Sequence, residues 1–200
     1  MRKDKLFIRI LMAIAGLMIS GVGVGIFLYS KLGVDPASVL ELGLGNVFHI
    51  SYGTASALTN VVILAIVLIV DKSYISLSSL LAIFGIGYTA DFISYVLDVL
   101  IKGELNMIVR IIMILIGCLI MAVGISVYIR ADLGVGAIDM VSEIISNKLK
   151  FSYRMVRVVC DITFVVVGYL LGGTLGVGTV VAALMTGPAV QFVRPHVYKV

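Results

Sequence analysis

Apolar runs long enough to cross a lipid bilayer recur along this chain, and a chain with so many of them has few ways to fold in water. Six stretches, at residues 6–29, 52–70, 75–101, 107–129, 153–171 and 175–193, approach or exceed the roughly 20 residues a helix needs to span a hydrocarbon core of about 30 Å. With 61% hydrophobic and 13% charged residues over 200 positions, and a mean hydropathy of +1.19, too few polar side chains are present to clothe a water-facing surface. The expected fold class is all-α, a polytopic membrane helix bundle forming one membrane domain over residues 1–200. Disordered chains, disulfide-stapled secreted domains and nucleic-acid binders are excluded, since each needs more polar surface or more cysteine. The lipid bilayer is the expected partner, and nucleic acid is not. The basic opening resembles a signal peptide, but the apolar run behind it is too long, contains Arg9 and lacks a small-residue cleavage site. It is expected to stay as the first span.

Two segments, 36–50 and 137–150, differ in character and are expected to be short helices that do not cross. In the second, Ile138, Val141, Ile144, Ile145 and Leu149 fall on one face, and Asp139, Ser142, Glu143, Ser146, Asn147 and Lys150 on the other. Burying that polar face in lipid is costly, so it is expected to meet water, headgroups or an internal cavity. The first short segment is more apolar and its stripe is less clean.

Sliding the chain against itself by 101 residues places Arg9 on Arg110, Gly16 on Gly117, Leu32-Gly33-Val34 on Leu133-Gly134-Val135, Asn46 on Asn147 and Ser51-Tyr52 on Ser152-Tyr153. A duplication with halves at 7–101 and 108–196 is expected, each half reading long helix, break, short helix, long helix, long helix. At the first break Gly33 suits the left-handed residue after a helix, and Asp35-Pro36 supplies an N-cap and a first-turn proline. Gly134 and Gly136 are expected to do this work in the second half, with Ala137 in place of the proline.

With three spans per half the second half is inverted, and 12 of the 15 basic residues face the cytoplasm: Arg2, Lys3, Lys5, Arg9, Lys72, Arg130, Lys148, Lys150, Arg154, Arg157, Arg194 and Lys199. Both termini are then cytoplasmic. Eight helices in two parallel halves leave Lys31, Lys72 and Arg130 outside and satisfy charge equally, and the pairing of Arg9 with Arg110 leans toward them. The polarity of 137–150 favours six spans.

Polar groups at membrane depth are the candidate site. Asp161 lies midway along the fifth apolar run, opposite Asn60 in the repeat, and Arg157 stands one turn before it. An ion pair and a role in binding solute or proton weigh equally there. Asp91, opposite Gln191, joins Tyr88, Tyr95 and Asp98 in a stripe that would line a watery path or pack helices. With no basic residue near it in sequence, Asp91 ranks above Asp161. Cys118 and Cys160 sit in apolar runs without metal-binding spacing and are expected as buried small side chains; no cofactor or metal is expected.

Leu32-Gly-Val-Asp-Pro-Ala-Ser-Val39 and Ser78-Ser-Leu-Leu-Ala-Ile-Phe-Gly-Ile-Gly-Tyr-Thr-Ala-Asp91, with Gly178-Thr-Val-Val-Ala-Ala-Leu-Met-Thr-Gly187 as its duplicate, resemble the motifs of a bacterial integral membrane family, the YczE/YyaS/YitT family. Ala37, Ser38, Ser78 and Ser79 depart from its pattern. The resemblance implies a multi-span protein of the bacterial cell membrane and hardly constrains its chemistry.

Duplicated halves, broken helices and deep acids point to a small-solute or ion transporter that binds its substrate between the repeats. The competing expectation is a non-catalytic scaffold or accessory subunit, with glycine-rich faces docking a partner protein or a second copy. An enzyme is not expected: His49 and His196 stand near segment ends and no hydrolase or metalloprotease motif is present.

Overall fold

The computed structural model describes residues 3–134 and 136–198, the side chains of residues 3–5, 194, 196 and 198 apart. The expected positions at Arg2, Val135 and Lys199, and the side chains of Lys3, Lys5, Arg194 and His196, lie outside the described residues. Nine helices follow one another among the described residues: α1 (Lys3–Ser30), α2 (Pro36–Phe48), α3 (Tyr52–Asp71), α4 (Leu77–Gly85), α5 (Gly87–Leu100), α6 (Met107–Arg130), α7 (Ala137–Leu149), α8 (Tyr153–Leu170) and α9 (Val177–Tyr198). Side-chain caps set most of the starts. Ser51, Asn106 and Ser152 accept hydrogen bonds from Thr54 N, Ile108 N and Met155 N, and Ser76 forms a reciprocal capping box with Ser79.

Among the described residues, four segments are long and apolar enough to cross a bilayer: Leu6–Ser30, Tyr52–Tyr74, Leu77–Leu100 and Met107–Arg130. The other two expected spans are weaker. α8 has only 18 residues and carries Arg154, Arg157 and Asp161, and α9 contains Pro188 and Pro195. The third span departs from the expected continuous helix: α4 and α5 meet at Ile86, between Gly85 and Gly87. Both glycines are pressed by neighbours there, Gly85 by Leu17 of α1 and Gly87 by Gly53 of α3.

α1 and α6 pack along their whole length in opposite directions. Gly16 lies against Gly124 and Tyr128, and Gly23 against Gly117 and Met121, the missing side chains letting the two backbones touch. At one end Arg9 of α1 donates to the Ala131 carbonyl beyond α6 at 2.6 Å and pairs with Asp132 at 2.8 Å. At the other, Arg110 of α6 donates to the Ser30 carbonyl at 3.3 Å. Each arginine satisfies carbonyls at the other helix's C-terminus. This corrects the inference drawn from the Arg9 and Arg110 pairing, because the two lie at opposite ends of an antiparallel pair. With α3 and α4–α5 crossing between them, α1 and α6 are antiparallel only if α2 does not cross. The alternative of eight helices in parallel halves is thereby set aside. Thirteen residues of α2 span about 20 Å, too short for the core in any case.

The outward surface is apolar; Ile69 and Leu170, for example, are 87% and 77% exposed. Lipid is the solvent such a surface requires.

Candidate functional site

The break after α1 carries α2 into the protein. Gly33 takes φ 105°, and a side chain there would strike the Gly176 amide 2.7 Å away at the approach to α9. Asp35 then caps α2 through Ser38 N at 3.3 Å, with Pro36 in the first turn. In the second half Gly134 has φ 96°, and Gly136, extended and without a side-chain cap, precedes α7. Gly33, Asp35 and Pro36 thus lie between α1 and the first turn of α2, and Gly134 and Gly136 between α6 and α7.

The starts of α2 and α7 border a cavity of about 130 Å³ lined by α1, α2, α3 and the α4–α5 junction together with α6, α7 and α8. Its polar wall begins at Asp35, whose Oδ1 accepts from Ser38 Oγ at 2.6 Å; that hydroxyl lies 2.9 Å from the Tyr52 hydroxyl. One turn further along α2 stands Glu41, 3% exposed, which accepts from Ser56 Oγ of α3 at 3.0 Å. Asn60, also lining the cavity, donates back to the Ser56 carbonyl at 2.8 Å. From the other half Tyr128 of α6 donates to Asp139 of α7 at 3.0 Å, and Arg157 of α8 bonds the same Asp139 carboxylate. Arg157 also pairs with Asp161 at 3.2 Å. Ser20 of α1 lines the cavity as well, 1% exposed, its hydroxyl without a hydrogen-bond partner. Leu17, Val24, Ile86, Met121 and Ile125 supply an apolar wall.

The expected site residues divide. Arg157 and Asn60 line the cavity; Asp161 stands behind Arg157 as its second carboxylate. Asp91 does not line it: its Oδ2 accepts from the Gly53 amide at 2.9 Å and ties α5 to α3. Tyr88 and Tyr95 of the same stripe are 44% and 68% exposed, so that face looks outward rather than onto an internal path. Gln191 is exposed on α9. Cys118 and Cys160 are free and buried. Among the described residues no three His, Cys, Asp or Glu side chains come together as a metal set.

Glu41 was the residue the sequence hid. It lies in α2 among Val39, Leu40, Leu42 and Leu44, in a segment without a clean polar stripe. A search for charges along spanning helices passes over it.

Several apolar helices long enough to cross a bilayer, with an outward apolar surface, define a polytopic α-helical membrane protein. The chain belongs to a family of unknown function, DUF6198, which it matches over residues 7–195. It is similar to the uncharacterized membrane protein YczE of Bacillus subtilis (strain 168), 27% identical over 97% of this chain and 89% of that protein. An uncharacterized protein of Haemophilus influenzae is 32% identical over 88% of this chain and 78% of its own length. YyaS of Bacillus subtilis is 24% identical over 91% and 90%. No solved structure matches the chain.

Proposed function

We propose that the protein is a carrier for a small solute, built from two sequence-related, inverted halves that hold the solute between them and expose it to each side of the cell membrane in turn. The observation that carries this reading is the cavity itself, a largely apolar space with a few charged and hydroxyl groups in its wall, to which both halves contribute at matching positions. The 101-residue offset relates Ser38 to Asp139, Ser56 to Arg157, Ala37 to Ile138, Ser20 to Met121 and Val24 to Ile125, and all ten residues line it. Backbone geometry supports the duplication. Lys31 and Asp132 have φ 56° and 49°, Gly33 and Gly134 105° and 96°, and His49 and Lys150 53° and 58°. Three left-handed positions thus recur at the same offset in each half, Gly172 of the second half having no such mate.

Interrupted helices meeting at a central site, flanked by halves able to rock against one another, are the parts from which many carriers are made. In this reading α8 and α9 complete the second half as spans, the α3–α4 turn and both termini face the cytoplasm, and the bundle acts without catalysing a reaction. α8 tolerates Arg157 and Asp161 because both turn toward protein rather than lipid.

The test is solute counterflow in vesicles reconstituted with the purified chain. Glu41→Gln and Arg157→Gln should each abolish flux with folding retained, whereas Asp91→Asn should not. Flux that persists in both cavity variants contradicts a route through this cavity.

A further inference from the structure

The balance of charge around the cavity goes further than the carrier reading, on which the following inference rests. Asp35, Glu41, Asp139 and Asp161 supply four carboxyl groups against the one guanidinium of Arg157. Arg157 is already committed to Asp139 and Asp161. The positive ends of α2 and α7 offset about half a charge each, and Asp35 occupies the first of these as its cap. Glu41 is left with neutral donors alone, the Ser56 and Tyr52 hydroxyls, and the ion pairs among the described residues do not include it. A carboxylate so placed needs a proton or a cation.

Two further features say what kind of cation. The Ser20 hydroxyl is buried without a partner at the edge of this cavity, so polar capacity there is unspent by the protein. Leu17, Val24, Met121 and Ile125 line the same cavity as the acids, as do the rings of Tyr52 and Tyr128. A wall of this mixed character suits an ion with an apolar shell, which gains from ring faces as well as from charge. A bare metal ion would want a cluster of ligands that the described residues do not form. An anion would find its one cationic partner taken.

We propose that the cavity takes a small organic cation of the alkylammonium class, held by the carboxylates of Glu41 and Asp35, in exchange for a proton that Glu41 carries when the cavity is empty. On binding, the Glu41 O–H bond breaks and the proton leaves to water on the open side; on release the carboxylate takes a proton back. No other bond changes. The groups that face this exchange are Asp35 and Tyr52 beside Glu41, and Tyr128, Asp139 and Arg157 across the cavity with Asp161 behind.

The experiment titrates the purified full-length chain in detergent with tetramethylammonium, methylammonium, the neutral isostere tert-butanol and the anion methanesulfonate, following heat and proton release from pH 6 to 8. The ammonium ions should bind and the other two should not. Apparent affinity should rise with pH by up to about tenfold per unit, since one proton competes for the site. Glu41→Gln should weaken cation binding by about thirtyfold or more and abolish proton release. Asp91→Asn, outside the cavity, should change neither. Binding of tert-butanol or methanesulfonate in place of the ammonium ions overturns the cation assignment and leaves the carrier standing. Unaltered cation binding and proton release in Glu41→Gln overturn the role of Glu41. Absence of binding across the panel overturns the proposal; a cysteine at Ser56 that still reacts with a water-borne thiol reagent then preserves the carrier reading, and one that does not removes both. The pH dependence and the isostere comparison use the unaltered chain, so they decide the matter even if Glu41→Gln does not fold.

Discussion

Replacing Arg157 with methionine keeps an unbranched apolar stem, shorter than the arginine side chain, and removes its charge. The substitution strands two carboxylates at once, Asp139 on α7 and Asp161 on α8. Breaking a fully buried pair this way costs about 3–5 kcal/mol. The three side chains here are 32%, 31% and 25% exposed, so screening lowers the expected loss to about 1.5–3 kcal/mol. Reversible unfolding in mixed micelles, following helix content against denaturing detergent, measures it. The loss comes from the stranded acids rather than from the missing arginine, so the triple variant Arg157→Met, Asp139→Asn, Asp161→Asn should recover at least half of it. The deficit of the single variant should also shrink as pH falls, because protons neutralise acids that no longer have a partner, while the wild-type chain has that partner already. A single variant within about 0.5 kcal/mol of wild type, or a triple variant no better than the single, would refute the argument.

Other consequences are as specific. At Gly124 a side chain would meet Ser20 N at 2.3 Å and the Gly16 carbonyl at 2.6 Å, both backbone atoms, so Gly124→Leu should cost at least about 2–3 kcal/mol or prevent folding. Gly187→Ala, with nothing within 4 Å, should be neutral or slightly stabilising in the same unfolding assay. Asp91→Asn keeps an acceptor for the Gly53 amide and should change stability by under about 1 kcal/mol, whereas Asp91→Leu should cost about 1–3 kcal/mol. Single cysteines at Ser73 and Ser152 should label from one face of sealed vesicles and Gly103→Cys from the other; labelling of Ser73 from the face opposite Ser152 would contradict an α7 that stays on one side.

The helices themselves were legible because each clue is local. Apolar length marks the spans, and Asp35 with Pro36 marks the start of α2. The interruption at Ile86 was not legible, since it arises from α1 and α3 pressing on Gly85 and Gly87, and Gly-Ile-Gly alone reads as ordinary glycine in an apolar helix. Asp91 drew attention because no cation is near it in sequence. Its partner is a backbone amide 38 residues away, reachable only because residue 53 has no side chain to stand in between. Glu41 escaped for the opposite reason: its neighbours in sequence are aliphatic, and only the folding of α2 against α3 brings Ser56 to it. Arg9 and Arg110 misled for want of direction, because charge at a helix end does not say which neighbour's carbonyls it serves.

The most direct test of a cavity shared between the two proposed inverted halves is thiol accessibility at Ala37 and Ile138, placed as single cysteines in a chain whose Cys118 and Cys160 are replaced by serine. A membrane-impermeant methanethiosulfonate reagent is applied to one face of sealed vesicles and then to the other. Both positions should react from either face, with tetramethylammonium slowing the reaction at each. Two cysteines that stay unmodified from both faces would mean that no solute reaches the space between the halves.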